Sequence, residues 1–308
     1  MSRRKKGEAI SGWVVIDKPL GLTSTDAVTR VRRLFNAQKA GHAGTLDPLA
    51  TGVLPVALGE ATKTVPFVLD ATKTYRFTIR FGRATATDDA EGVVTGESAI
   101  RPSDDEIIAA LARFTGEIEQ VPPAFSAIKV GGERAYDLAR AGEAVELKPR
   151  RVTIYEARLL ARPDPDHAEL EISCSKGTYV RSLARDLARA LGTCGHVSAL
   201  RRTRHGPFRE SQAIPLDKLL ALGHIAPASG GPLEHLLPLE TALDDIPALA
   251  VSGQDASRLR QGQGVLLRGR DAPILSGPVL ATHRGNPVAL TGYDKGELKP
   301  LRVFNLDS

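Results

Sequence analysis

Cysteine is scarce in this chain: Cys174 and Cys194 are the only two in 308 residues. They form no C-x-x-C pair, and two lone thiols suit a reducing compartment better than a disulfide scaffold. The seven histidines are dispersed, with no H-E-x-x-H and no Cys/His cluster, so no metal site is expected. Long apolar runs are missing as well. The start, "MSRRKKGEAISGWVVIDKP", is basic without an apolar signal core, and no run of about 18 apolar residues occurs. A soluble cytoplasmic protein without membrane contact is expected. Neither G-x-x-x-x-G-K-[ST] nor G-x-G-x-x-G is present, so the chain carries no standard nucleotide signature.

What is there is ordinary globular composition, 42% hydrophobic and 25% charged, which argues against disorder. The length suits one large domain plus a smaller one. Lys and Arg total 41 against 36 Asp and Glu, a net charge of +5, so distribution matters more than size. Basic residues gather at 3–6, at Arg30, Arg32 and Arg33, at Lys148, Arg150 and Arg151, and at Arg201, Arg202, Arg204, His205 and Arg209. Acidic residues gather elsewhere, in Asp88, Asp89 and Glu91 and in Glu240, Asp244 and Asp245. That separation has the form of a polyanion-binding face. Scattered solvated charge is the plainer account of any single cluster.

Periodicity places the elements. "TYRFTIRFG" (74–82) and "AELEISCS" (168–175) alternate apolar and polar residues as half-buried strands, and "RVTIYEARLLA" (151–161) is a third candidate. "SDDEIIAALARFTG" opens with Ser103 and Glu106 at capping-box spacing. "TYVRSLARDLARALG" carries Val180, Leu183, Leu187 and Leu191 at helical spacing and ends at Gly192. This predicts an α+β domain with a mixed, largely antiparallel central sheet flanked by helices. Residues 223–238 read as a Gly/Pro-rich linker, and 132–151 as a polar, mobile segment. Beyond about Pro247, short apolar runs between Gly, Pro and Asn predict a small β-rich domain of a size typical for RNA binding.

Chemistry centres on "GHAGTLDPLATGVLPVAL" (41–58), which holds one carboxylate, Asp47, and one imidazole, His42. Asp before Pro is a favoured helix cap, and "DPLATGVL" reads naturally as a short capped helix. Three features weaken that reading and leave a nucleophile open. Gly41, Gly44 and Gly52 let the backbone approach something closely. The residue before proline is held extended, which aims the Asp47 side chain. His42 gives the same loop a second functional group.

The stretch "GHAGTLDPLATGVLPVALGEATK" resembles the catalytic motif of the TruB-type pseudouridine synthases, the bacterial tRNA pseudouridine(55) synthases. "GWVVIDKPLGLTSTDAVTRVRRLF" resembles the family's opening motif, and "KTYRF" its tyrosine strand. "VPPAFSAIKVGGERAYDLARAGE" resembles its RNA-clasping insertion. "CSKGTYVRSLARDLARALG" resembles its arginine motif, and "HVSALRRTRHGPF" the segment that follows. The likeness runs in order through residues 11–210. It implies the pseudouridine synthase fold with a C-terminal PUA-like β domain, divided as 1–246 (insertion about 124–151) and 247–308.

The implied reaction breaks the C1′–N1 bond of a tRNA uridine and joins C1′ to C5, with no atom added and no cofactor. The resemblance assigns Asp47 as nucleophile, attacking ribose C1′ or base C6. A nucleophile in a pocket that excludes water needs a cationic partner, and the resemblance implies Arg181. It also implies Tyr75, which would stack on the base for roughly 1–3 kcal/mol and take part in proton transfer at C5. Tyr179 and Leu200 are implied as base contacts; Lys63, like the basic clusters, is read as a substrate contact, with a solvated lysine as the equal alternative. The uridine must be flipped out at a cost of a few kcal/mol, and His42 is expected to fill the vacated stack. The expected partner is the tRNA T-arm, with no protein partner and a monomeric chain. A guide-RNA-dependent synthase and a non-catalytic RNA-folding protein are the alternatives. A glycosidase would need a second acid, and none lies near Asp47 in the motif.

Overall fold

The computed structural model describes residues 7–126, 128–130, 133–141, 147–223, 231–267 and 276–306. The basic run 3–6 and parts of the two segments read as loops (131–132, 142–146 and 224–230) lie outside the described residues. The first strand, β1 (Gly12–Lys18), sends Trp13 and Val15 to one apolar core and Val14 and Ile16 to another, and all four are buried. α1 (Ser24–Leu34) starts where the Thr23 side chain accepts the Asp26 N–H. β2 (Ala40–His42) leads into the Asp47 loop.

The run after Asp47 is not a capped helix but β3 (Ala50–Leu58), reached through a turn in which the Ala50 N–H donates to Asp47 O at 3.0 Å. β3 is buried on both faces, so its sequence is continuously apolar and lacks the alternation that marks a half-buried strand. It also tolerates Pro55 in its interior. The Pro55 carbonyl accepts from Ala43 N at 3.1 Å, so the ring nitrogen faces the β2 side, where pairing begins only at Val56.

α2 (Val65–Asp70) precedes β4 (Lys73–Phe81), whose Phe77, Ile79 and Phe81 are buried while Arg76 is exposed. A hairpin of β5 (Arg83–Thr85) and β6 (Val94–Glu97) follows. α3 (Asp104–Arg113) has the expected Ser103/Glu106 capping box and hands over to β7 (Gly116–Gln120). The insertion carries β8 (Lys129–Val130), β9 (Glu133–Arg134) and α4 (Ala135–Arg140). Then come β10 (Arg150–Asp164), β11 (His167–Cys174), α5 (Val180–Ala190) and β12 (Gly195–His205). β13 (Phe208–Arg209), β14 (Ile214–Pro215) and α6 (Leu216–Leu222) complete the first unit.

The main sheet runs β14-β1-β3-β12-β4-β11-β10-β7, with β2 on β3 and β13 on β12. Within this sheet, among the described residues, only β1–β14 and β3–β12 are parallel, which is the mixed, largely antiparallel α+β arrangement read from the sequence. One core lies between β4, β11 and the helices α3 and α5; a second lies between β1, β3 and the helices α1 and α6. Tyr75 and Leu200 pack against both, so they mark the seam between the two cores.

A second sheet holds β15 (Ala248–Ala250), β16 (Val265–Leu266), β17 (Gly277–His283), β18 (Asn286–Asp294) and β19 (Glu297–Val303), covered by α7 (Gly253–Arg260). It is not a loose appendix. Its Leu280 and Leu290, with Phe304 beyond β19, share a buried cluster with Trp13, Phe208 and Leu239 of the first unit. The segment read as a surface linker is partly tied down too: Trp13 and Leu237 exchange two backbone hydrogen bonds of 2.8 and 2.7 Å.

Candidate active site

The Asp47 loop is held by backbone contacts from three directions. Ser24 Oγ both donates to Leu46 O and accepts from Leu46 N, each at 2.9 Å. Gly21 N donates to Pro48 O at 2.8 Å, and Lys18 Nζ reaches the same carbonyl at 3.3 Å. Two of the three motif glycines are required by close approach. A Cβ on Gly52 (φ +98°) would sit 2.2 Å from Arg202 O, and one on Gly44 (φ +70°) would sit 2.8 Å from the His205 ring. Gly41 faces open space.

Fixed in this way, the Asp47 carboxylate meets Arg181, with Oδ2 2.9 Å from Nη2. Both line a cleft of about 610 Å³, together with Tyr75, Tyr179 and Leu200. Arg181 sits in the first turn of α5, its side chain 8% exposed, whereas the Asp47 side chain is 42% exposed. Among the described residues no backbone N–H occupies the Asp47 carboxylate, so Oδ1 is free to face the cleft.

Arg181 has more partners than the sequence suggests. Nη1 donates to Thr87 O at 2.9 Å and lies 3.4 Å from Asp89 Oδ2; Nη2 also donates to Phe125 O at 3.0 Å. Asp89 belongs to an acidic run that reads as solvated charge, yet it is buried. Arg185, one turn on, pairs with Asp88 at 2.9 Å. Gln120 caps the start of α5 in place of a cap side chain: its Oε1 accepts the Tyr179 N–H at 3.1 Å and its Nε2 donates to Tyr179 O at 3.4 Å. These partners lie far from one another in the chain, and no local pattern announces them.

Lys73 and Arg202 line the cleft, and Lys18 is buried outside its lining. Lys18 is wholly buried and donates to Pro19 O at 2.9 Å and Leu22 O at 2.7 Å; burial brings its ammonium down to about 8. Lys73 is likewise brought to about 8 by burial, with its Nζ on Leu69 O and Ala71 O at 2.5 and 2.6 Å. Arg202 is buried, donating from Nε to Val53 O at 2.8 Å and from Nη2 to Gly44 O at 3.0 Å. Burial pushes the Tyr75 phenol upward, and the positive charge of Arg202 opposes that rise.

Two of the expected substrate contacts lie outside the cleft lining. His42 is half-buried in β2, its Nδ1 without a partner among the described residues, and burial lowers its pKa. Lys63 is drawn away to the second sheet, bonding Glu60 at 2.5 Å and Val303 O at 2.7 Å. The basic run 201–209 is also largely engaged inside the protein. Arg201 clamps Asp17 at 3.0 and 2.7 Å and pairs with Glu210, and Arg204 donates to Gly206 O at 2.9 Å. Exposed basic groups do ring the cleft at Arg150, Arg151 and Lys176, and α1 exposes Arg30, Arg32 and Arg33.

Residues 32–180 match the model of the TruB family pseudouridylate synthase N-terminal domain, and 181–244 that of the tRNA pseudouridylate synthase B C-terminal domain. The chain is 60% identical over 304 residues to tRNA pseudouridine synthase B of Bradyrhizobium diazoefficiens, covering 98% of this chain and 88% of that protein. It is 57% identical to the protein of that name from Caulobacter vibrioides, covering 99% of this chain and 100% of the relative. Among solved structures, a Cbf5-Nop10-Gar1 complex superposes with a TM-score of 0.72 at 28% identity, covering 96% and 84% of the two chains. An H/ACA RNP bound to a substrate RNA containing 2′-deoxyuridine gives 0.73 at 25% identity, covering 99% and 92%.

Proposed function

The chain belongs to the TruB family of pseudouridylate synthases, and from that premise we propose that it converts uridine to pseudouridine in the T-loop of tRNA, at position 55, with Asp47 as the nucleophile. The observation that carries the assignment is the 2.9 Å pair between Asp47 and Arg181 in the lining of a cleft large enough for a flipped nucleoside. Arg181 engages Oδ2, which leaves Oδ1 to attack C1′ or C6. Tyr75 stacks on the extruded base, and Tyr179 and Leu200 bound the same space. Arg150, Arg151 and Lys176 neutralise backbone phosphates at the rim. The isomerisation neither adds nor removes atoms, and it proceeds without a cofactor.

In this reading residues 1–246 form the catalytic domain, about 124–151 clasp the RNA, and 247–308 form a C-terminal RNA-binding domain. His42 fills the stack that the flipped base vacates, and for Lys63 a structural tie to β19 is the better account. The enzyme works as a monomer in the cytoplasm without protein partners. Among the described residues no helix is long and apolar enough to cross a membrane. A guide-RNA-dependent mode is the competing reading, because the solved neighbours are parts of Cbf5 complexes. Identity of 57–60% to tRNA pseudouridine synthase B chains, against 25–28% to those neighbours, favours the standalone mode.

The test uses an unmodified tRNA transcript tritiated at uridine C5, with neither guide nor added protein. Wild type releases tritium, and Asp47→Asn, which keeps the shape but loses the nucleophilic charge, releases none. Turnover by Asp47→Asn would remove the nucleophile assignment, and silence of the wild type would remove the standalone mode.

A further inference from the structure

A guanidinium carries its hydrogens in one rigid plane, so the acceptors around it decide where each N–H points. In Arg181 each Nη faces one carbonyl and one carboxylate. Nη2 donates to Phe125 O at 3.0 Å and meets Asp47 at 2.9 Å; Nη1 donates to Thr87 O at 2.9 Å and faces Asp89 at 3.4 Å. Two carbonyls from segments far apart in the chain therefore orient the fork toward Asp47. One helical turn on, Arg185 grips the same two segments. Its Nη2 donates to Val121 O at 2.9 Å, and its Nη1 pairs with Asp88 Oδ2 at 2.9 Å. Resting on the reading that Arg181 holds the nucleophile, we propose that Arg185 is a positioning residue for the reaction. It pins the loop 87–89 and the root of the insertion to α5, and so sets the two carbonyls that aim Arg181 at Asp47.

Each arm of this clamp is short and stiff. Asp88 adjoins Thr87, so fixing its carboxylate leaves the Thr87 carbonyl little room. Asp88 also holds φ at +59°, a conformation that a residue other than glycine keeps where its contacts over-determine it. Its own carbonyl accepts from Val197 N at 3.1 Å, which ties the loop to β12 as well. On the other arm, Val121 and Phe125 are separated by Pro122, Pro123 and Ala124. The two rings hold φ near about −65°, and both prolines are buried, so the segment acts as a strut. Holding Val121 O in place therefore holds Phe125 O. Ser182 Oγ reinforces that end by donating to Val121 O at 2.8 Å.

An amphipathic helix carries arginines at intervals of four as a matter of course, and burial tells the members of this row apart. Arg189 is 68% exposed and meets Asp186 at 3.8 Å, as a solvated surface charge does. Arg185 lies outside the cleft lining, yet its side chain is 14% exposed. Asp186 steadies it from the side, 2.8 Å from Nε and 3.2 Å from Nη2. Bonding Asp88 and Val121 O at once takes two nitrogens held at a fixed separation. A guanidinium supplies them, and the single centre of an ammonium does not.

The experiment measures the single-turnover rate at saturating enzyme and, by filter binding, the affinity for an unmodified tRNA transcript. Arg185→Met keeps the aliphatic stem and removes every donor. It is expected to slow the rate by roughly 10²-fold and to leave the affinity unchanged. Arg185→Lys, which reaches Asp88 or Val121 O but not both, should fall between this variant and wild type. Repeating the substitution in Arg181→Lys separates positioning from mere stability, because a lysine there has no fork to aim. In that background Arg185→Met should cost no further rate. An undiminished rate in Arg185→Met, a loss confined to affinity, or the same fold-loss in both backgrounds overturns the proposal. Should Arg185→Met melt well below wild type, Asp88→Asn, which leaves the bond to Val121 O in place, decides by the same comparison. An Arg181→Lys as fast as wild type would remove the fork's role and the proposal with it. A wild type inactive on uridine would instead defeat the assigned reaction.

Discussion

Arg181 is shared unequally between two carboxylates, 2.9 Å from Asp47 and 3.4 Å from Asp89. Asp89 is the buried one, itself held by the Thr87 hydroxyl and by the Glu91 N–H at 3.1 Å. It therefore anchors the guanidinium from behind while Asp47 stays open to the cleft. Asp89→Asn keeps the shape and removes that anchor, and a misplaced Arg181 is expected to slow single-turnover catalysis by about 10²-fold. Affinity for tRNA, measured by filter binding, should be unchanged; a loss confined to binding would contradict the anchoring role. His42→Ala should behave in the opposite way, weakening productive RNA binding while leaving the rate at saturating enzyme nearly intact. A large loss of that rate would place His42 in the chemical step. Asp47, Tyr75 and Arg181 were legible because each sits inside a long motif. Asp89 and Arg202 were not, because one resembles solvated charge and the other a phosphate contact until the fold buries both.

At the scale of elements, half-buried strands announced themselves and fully buried ones did not. β4 and β11 alternate clearly, and α3 carries its capping box as read. β3 was obscured by the Asp-Pro pair before it and by burial on both faces. Its first residues run parallel to β12, pairing Ala50, Thr51 and Gly52 with Leu200, Arg201 and Arg202. That register brings the Asp47 turn, Leu200 and the Arg202 backbone into one place. Gly52 is its tightest point, since any Cβ there meets Arg202 O at 2.2 Å with φ at +98°. Gly52→Ala is expected to cost about 1–3 kcal/mol from backbone strain alone, read by urea unfolding. Because the clash also displaces the strand that carries Leu200 and Arg202, the single-turnover rate of the folded fraction should fall with it. Wild-type stability and rate in Gly52→Ala would mean that the two strands are not rigidly registered.

Across the whole molecule, the second sheet and the buried cations are both consequences of contacts distant in sequence. Phe304, Leu280 and Leu290 complete the cluster around Trp13 and Phe208, and Glu60 accepts both Lys63 and the Asn305 N–H, the latter at 2.7 Å. Composition revealed a β-rich tail but not its docking, because the apolar residues that dock it also fit an isolated barrel. Lys18, Lys73 and Arg202 already crowd the interior with positive charge, and His205 has to remain neutral beside them. Its Nε2 contacts Val68 O at 2.8 Å, and burial, reinforced by Arg202 and Lys73, drops its pKa from 6.5 to about 2. The unfolded chain takes up that proton near 6.5 and the folded protein does not, so the unfolded state binds more protons between these values. Stability from this group is therefore complete above pH 6.5 and falls as pH is lowered, by at most about 1.4 kcal/mol per pH unit. His42, whose pKa is also lowered by burial, adds to the slope. Urea unfolding followed from pH 7.5 to 5 should show the decline in wild type and a shallower one in His205→Asn, whatever that substitution does to stability at pH 7.5. An identical slope in the two proteins would mean that His205 accepts its proton without unfolding, and that these charges are better hydrated than their burial implies.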